Sequence, residues 1–492
     1  MNGQRLPVVL SVAAFVVAVL SATPNGIAGS AVRVALFAKN AAKVGGIAAS
    51  KKPKAGKLLP LGKNGKFPAS VLPVALQGPV GPEGARGPAG PAGPQGAQGI
   101  QGLRGLKGTT GPAGPQGTTG LQGPLGPPGG FGLLNLGRST LTRNTVSAGG
   151  AHSSSVAGAD GFPLVAVFDG ASGRLVVVHC SDAACSASTS TPVDVTTPNV
   201  GPYPSVTVGS DGLGIVSYLD ATNHNLKVAH CSNVACTGFQ TRTIASSGTL
   251  ADDQTSIAVG IDGLALISYV ENGTLRVAHC ADVVCTTVTS NAIDATANGY
   301  SSLAVGADGL PLLSYLDSTN GDLQVAHCDD ALCAGSTTTA FDTGDNAGFY
   351  TSLTIGADGL GLVSYRDATA GSLKVAHCDD VPCTTATLST VDANGIEGEY
   401  SAITLGIDGL GVISYRDGTG ARQDLKVAHC SNVACTTSST VTVDTPGDVG
   451  WNTSITIGAD GLPFVSYRDV GGTQVKGLHC PNVFCVPYLR RR

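Results

Sequence analysis

The chain has 492 residues, of which 42% are hydrophobic and 13% charged, with 69 glycines, 14 cysteines and a single tryptophan. Its 29 Lys and Arg against 34 Asp and Glu leave a net charge of −5 at pH 7, which is the wrong sign for the electrostatic footprint of a nucleic-acid binder. Glycine and threonine are dense throughout the C-terminal part, and without a 3.6-residue periodicity there a helical domain is excluded.

Residues 1–22 carry one early charge, Arg5, then an apolar run from Leu6 to Leu20 and the small pair Ser21-Ala22. This is the pattern of a secretory signal peptide, and the run is short for a membrane span. Residues 23–77 form a basic, low-complexity linker: Arg33 and eight lysines fall between 31 and 73 with no Asp or Glu, a local charge of +9. Such a segment suits an anionic cell-wall polymer or lipid surface as partner, or serves only as a soluble linker.

From Gly78 to Gly129 glycine occupies every third position, giving seventeen unbroken Gly-X-Y triplets. Only glycine fits the crowded axis where three polyproline-II chains meet, so residues 78–130 are expected to form a collagen triple helix that brings three copies together as a homotrimer. At about 3 Å per residue the rod is on the order of 150 Å long. Proline fills the X position nine times but Y only at Pro128, so there is little substrate for Y-position hydroxylation.

Residues 131–492 contain a unit of about 50 residues, repeated seven times, that has a Gly-x-Asp-Gly turn, an apolar run and a His-Cys-x4-Cys ending. The endings are His179 with Cys180 and Cys185, His230 with Cys231 and Cys236, His279 with Cys280 and Cys285, His327 with Cys328 and Cys333, His377 with Cys378 and Cys383, His429 with Cys430 and Cys435, and His479 with Cys480 and Cys485. A period of this length marks a solenoid or a propeller. In the fourth copy two β-rich runs flank Asp308-Gly309, a pair suited to a type I′ hairpin turn, Leu323–Cys328 alternates as a third strand, and Thr337–Phe341 supplies a fourth. Four antiparallel strands make a propeller blade.

After Cys485 only seven residues remain, too few for a full fourth strand, whereas Ser139–Ser147 resembles the fourth-strand segment Phe239–Ala245. The fold class expected is therefore all-β, a closed seven-bladed β-propeller whose last blade is completed by residues 139–147; a β-solenoid is the alternative. Residues 131–492 hold sixteen Lys and Arg against thirty-three Asp and Glu, so this domain sits near −17.

Each cysteine pair stands apart from other cysteines, unlike the paired Cys-x2-Cys knuckles of zinc sites, so seven local disulfides are expected and no metal or cofactor. Each histidine shares a strand face with apolar residues such as Leu226 and Val228 and should be buried between blades, with Ser217 and Asp220 as the partners of His230. A general base is needed once, not seven times. Ligand-binding residues are sought where the copies differ. Within Ser-Tyr-x-Asp the last three copies carry Arg366, Arg416 and Arg468, and guanidinium groups pair with carboxylates and sulfates. The alternative is salt bridging to the adjacent Asp367, Asp417 and Asp469. At the start of the innermost strand stand His152, Tyr203, Gln254, Tyr300, Tyr350, Tyr400 and Asn452, with Trp451 beside the last. This composition suits sugars stacked at the mouth of the central channel, or serves blade-edge packing.

The signal, the triplet run and the repetitive C-terminal domain together resemble bacterial collagen-like surface proteins, in outline over the whole chain. The unit Asp-Gly-Leu-x3-Ser-Tyr-x-Asp followed by Leu-Lys-Val-Ala-His-Cys is similar to tandem repeats of secreted bacterial proteins. Segments Lys39–Ser50 and Leu58–Pro68 are similar to the pre-collagen part of such chains. Taken together, the chain is expected to be a secreted or cell-surface trimer whose propeller binds extracellular carbohydrate or protein and is no enzyme. Alternatives are a propeller glycosidase or lyase, against which the sialidase Asp-box is missing, and a purely structural coat component.

Overall fold

The computed structural model describes residues 141–487 apart from 196–198, 247–253, 298, 345 and 421–422, and separately the strand pair Lys43–Val44 with Ile47–Ala48. The expected signal peptide over 1–22, the collagen segment over 78–130 and the basic segment other than that pair lie outside the described residues, as do Ser139 and Thr140. Every regular element among the described residues is a strand, and no helix there is long and apolar enough to cross a membrane.

The repeats build seven four-stranded antiparallel sheets. Blade 5 is typical: Ala347–Ile355 is innermost, followed outward by Gly361–Asp367, Ser372–Cys378 and Ala386–Asp392. The inner strands of the other blades are Gly150–Ala157, Ser205–Val208, Ser256–Val259, Ser302–Val305, Glu399–Leu405 and Val449–Ile457, and each packs against the inner strands on both sides. Blade 7 takes its outer strand from Thr142–Ala148, which pairs with Gln474–His479. The β-propeller is thus closed by hydrogen bonds between the two ends of the repeat array.

There is no single central core. Seven apolar clusters each join one blade to the next; between blades 4 and 5, for example, Leu312, Leu323 and Val325 meet Leu353, Val363 and Tyr365. Blades 7 and 1 are joined the same way by Phe464, Val475, Val165 and Val167. Fully burying such side chains contributes roughly 1.5–3 kcal/mol each, so the interfaces between blades carry the ring.

Two local expectations are corrected. The Gly-x-Asp-Gly turn is not type I′, because only its second glycine has positive φ, +82° at Gly309. Gly309 N donates to Gly306 O and Gly306 N to Leu310 O, a type I turn closed by a left-handed glycine in a three-residue hairpin loop. That bend aims the Asp308 carboxylate at the end of the third strand, where it accepts from His327 Nε2 at 2.8 Å. All seven copies bring the histidine Nε2 and the aspartate to 2.7–2.9 Å, and in five of them, all but His230 and His429, the two form a hydrogen bond. Ser217 and Asp220 are therefore not the partners of His230. The histidine lies opposite Ile215, whereas Ser217 lies opposite Val228 and faces the next blade, and Asp220 sits at the far end of its strand.

Beside each histidine the two cysteines form a disulfide within one loop, as the spacing predicts. Cys180 is joined to Cys185, Cys231 to Cys236, Cys280 to Cys285, Cys328 to Cys333, Cys378 to Cys383, Cys430 to Cys435 and Cys480 to Cys485, with Cα atoms 4.7–4.9 Å apart. No cysteine is free. The second cysteine of every pair has φ between 50° and 57°, a conformation that costs a non-glycine residue free energy and that the bridge helps to hold.

Candidate functional site

Opposite the Gly-x-Asp-Gly turns, the loops that enter the inner strands surround the mouth of the central channel. Below the mouth, the channel wall is built from hydroxyls. A serine of one inner strand accepts from an edge amide of the next: Ser302 from Leu353 N, Ser352 from Ile403 N and Ser454 from Ser155 N, at 2.9–3.1 Å. Ser154, Ser205 and Ser256 do the same for Val206, Ile257 and Leu303. Unpaired edge amides invite foreign strands, and these latches close them. Blade 6 has Ala402 at this position, so Ile455 N receives no latch.

One residue nearer the mouth, a hydroxyl bonds to the serine of Ser-Tyr-x-Asp in the preceding blade, as in Thr255–Ser217 and Thr453–Ser414, both 2.8 Å. Six junctions carry this clasp. At the seventh, both partners are absent together, replaced by Ala166 and Pro204. Four of these hydroxyls also reach the backbone of the ring above: Thr255 donates to Tyr203 O, Ser401 to Tyr350 O, Thr453 to Tyr400 O and Ser153 to Asn452 O.

Those carbonyls belong to residues in a rare conformation. Tyr203, Tyr300, Tyr350, Tyr400 and Asn452 have φ of 50°, 47°, 52°, 54° and 48°. In blades 5, 6 and 7 this bulge also shifts the register of the inner strand. Left-handed backbone at a bulky residue costs about 1–3 kcal/mol and clusters at functional sites. The bulge turns the rings into the channel mouth, where a cavity of about 170 Å³ is lined by His152, Tyr203, Gln254, Tyr300, Tyr350, Tyr400, Trp451, Asn452 and Arg468.

The rings form two arcs. Tyr300, Tyr350, Tyr400 and Trp451 follow one another at centroid distances of 4.7, 4.5 and 5.1 Å, and His152 lies 4.2 Å from Tyr203. The Tyr350 hydroxyl hydrogen-bonds to those of Tyr300 and Tyr400. Burial, reinforced by Tyr400, drives the Tyr350 phenol far up. Burial likewise pushes Tyr400 up to about 12, although the hydrogen bond from Tyr350 pulls the other way. Both are neutral hydroxyls at physiological pH.

The three arginines are not equivalent. Arg416 is buried, 5% exposed, and is held by Glu399 and by Asp448 at 2.9 Å with its guanidinium 4.6 Å above the Trp451 ring. Asp448 also accepts from Trp451 Nε1 at 2.6 Å. Arg366 lies 3.8 Å from Glu399. Arg468 alone among the three lines the mouth cavity. Asp367, Asp417 and Asp469, the alternative partners read from the sequence, instead accept from nearby loop amides, those of Ala370, Thr419 and Gly472. Sequence reasoning missed Glu399 and Asp448, which occur in single copies of the loop.

Buried polar triads support this face from beneath. The Asp392 carboxylate accepts from Tyr415 of the next blade at 2.7 Å and from Lys426 at 2.5 Å. Asp194, Asp342 and Asp444 serve Tyr218, Tyr365 and Tyr467 in the same way. In blade 6 the triad is enlarged by Glu397, fully buried where other blades place Val200, Ala297, Ala347 or Val449. Burial pushes the Glu397 carboxyl up to about 7 against the pull of Lys426, with Asp392 and Asp417 adding to the rise.

A closed ring of seven four-stranded blades defines residues from 142 onward as a β-propeller, and the collagen triple helix repeat, in its 20-copy form, matches residues 76–133. The chain therefore combines a collagen repeat with a seven-bladed propeller. No curated protein matches the chain. Solved structures similar to it include a protein of unknown function from Dyadobacter fermentans, with 14% identity, a TM-score of 0.41, and coverage of 69% of this chain and 96% of that one. The Dos1 propeller has 11% identity and a TM-score of 0.45, covering 70% and 95%. The intramolecular trans-sialidase of Ruminococcus gnavus, in complex with oseltamivir carboxylate, has 13% identity and a TM-score of 0.40, covering 72% and 100%. At these identities and scores the likeness assigns no activity.

Proposed function

We propose that this is a secreted or cell-surface protein, trimeric through its collagen segment, whose propeller binds an extracellular carbohydrate or protein at the channel mouth. One observation carries the reading: four tyrosines are held in left-handed backbone so that their rings line one cavity. Packing alone gives no reason to bear that cost four times. Tyrosine and tryptophan faces with amide and hydroxyl edges suit sugars. Binding is favoured over turnover because the carboxylates next to the mouth, Glu399 and Asp448, are engaged by arginine. Export agrees with seven disulfides, which persist in oxidising compartments. The basic residues between 31 and 73 are proposed to hold an anionic cell-wall polymer.

A glycan array probed with the full chain tests the ligand class, and failure to bind any glycan would leave protein or a coat role. Mass measurement of the same chain tests assembly: a trimer is expected, Gly102→Ala should weaken it, and a monomer would overturn the collagen reading.

A further inference from the structure

Of the three arginines at the mouth, Arg468 differs from the other two in what the next blade places beside it. Just before the ring residue, blades 5, 6, 7 and 1 carry Phe349, Glu399, Trp451 and Ala151. Each arginine pairs across its own blade with one of these, Arg366 with Phe349, Arg416 with Glu399 and Arg468 with Trp451. The following blade then offers the next: Glu399 to Arg366, Trp451 with Asp448 to Arg416, and Ala151 to Arg468. Two arginines thus reach a carboxylate, and at the position that would serve the third the following blade carries an alanine.

Arg468 Nε, like Arg366 Nε, is buried without a hydrogen-bond partner among the described residues, but only Arg366 has a carboxylate within 4 Å, that of Glu399 at 3.8 Å. Nδ1 of His152, the residue after Ala151, is likewise buried without a partner among the described residues, and the side chains of Arg468 and His152 both line the mouth cavity. Burial, with Arg468 adding to it, lowers the His152 pKa to about 4, so the imidazole is neutral and the positive charge at this point is that of Arg468. Buried polar groups are normally satisfied, and a ligand carboxylate accepting from both satisfies them together. The rest of the cavity is aromatic rings and the amides of Gln254 and Asn452, which favours a sugar ring over an acidic peptide.

Resting on the reading of the mouth as a carbohydrate site, we propose that the ligand is a carboxylate-bearing saccharide of the hexuronic-acid class, its carboxylate seated on Arg468 and His152 where blade 7 meets blade 1. Residues 131–492 carry sixteen basic and thirty-three acidic groups, so the propeller repels anions at long range and the seat acts locally.

The test is isothermal titration of the full chain with oligogalacturonate, oligoglucuronate and alginate oligomers, each also as its methyl ester. At least one acid should bind, with its ester at least about tenfold weaker, the scale of a lost charged hydrogen bond. Ala151→Glu gives Arg468 the following-blade carboxylate that Glu399 gives Arg366. It should weaken binding of the acid at least tenfold without lowering the melting temperature, while Ala151→Gln retains binding and Arg468→Leu loses it. Acid and ester bound alike, or neutral glycans bound and no uronate, would overturn the seat while leaving the mouth as a sugar site. Arg468-dependent binding of tri-aspartate in preference to every uronate would overturn the saccharide class. No glycan bound at all would overturn the carbohydrate site as well.

Discussion

The two faces of the propeller are built under opposite rules. On the turn face all seven blades carry the same parts, a Gly-x-Asp-Gly turn, its histidine and a disulfide. On the mouth face every blade differs, and the side chains of Arg468 and His152 line its cavity. A part repeated seven times is explained by the fold that repeats it. Function is to be sought where the symmetry is broken.

The comparison breaks hardest under reduction. Each bridge closes a short loop worth about 2 kcal/mol in the chain-entropy model, so seven together, roughly 14 kcal/mol, equal the whole stability of an ordinary domain. Circular dichroism of the reduced protein should show the propeller unfolded at room temperature; an intact reduced ring would show that the turn face contributes little. A single-blade change is milder. His377→Ala removes the partner of Asp358 and a side chain only 7% exposed, and should cost about 1–3 kcal/mol in urea denaturation.

Titration separates two groups of the mouth face. The folded pKa of His152, about 4, lies below its ordinary 6.5, so the unfolded chain takes up the proton first and stability falls as pH drops from 6.5 toward 4. The Glu397 carboxyl, raised from 4.5 to about 7, acts in the opposite sense: the stability linked to its retained proton is present below pH 4.5 and lost as pH rises through 7. His152→Gln should flatten the acid limb and Glu397→Gln the neutral one. Denaturation midpoints measured across pH 4–8 decide both, and unchanged slopes would remove these groups from the pH response.

The smallest effect sharpens the symmetry itself. Ala402→Ser supplies the one missing latch, for Ile455 N, and should stabilise the ring by about 0.5–1.5 kcal/mol. A thermal melt showing no gain would mean that water already serves that amide.

Much of this was legible in the sequence, and the failures have physical causes. Seven endings at near-equal spacing specify the blade number and pair the cysteines, because a disulfide between residues five apart needs only a tight loop. The type I′ expectation failed because Asp308 keeps negative φ and leaves the left-handed position to Gly309 alone. The partner of each histidine was open to discovery, since Asp and His recur together in all seven copies, but strand-face reasoning pointed to Ser217 and Asp220 rather than to the turn. Left-handed tyrosines give no sequence signal, as tyrosine disfavours that conformation. Glu399 and Asp448 were hidden because loops that occur once carry no period.

The most direct test of the division between faces is glycan binding by two variants of blade 5. Tyr350→Asn places at the mouth the residue that blade 7 already holds there with φ of 48°, at Asn452, so its melting temperature should stay near that of the unaltered protein while binding is lost. His377→Ala should do the reverse, melting earlier but binding as before once folded. Binding that survives Tyr350→Asn and disappears in folded His377→Ala would contradict the assignment of function to the mouth.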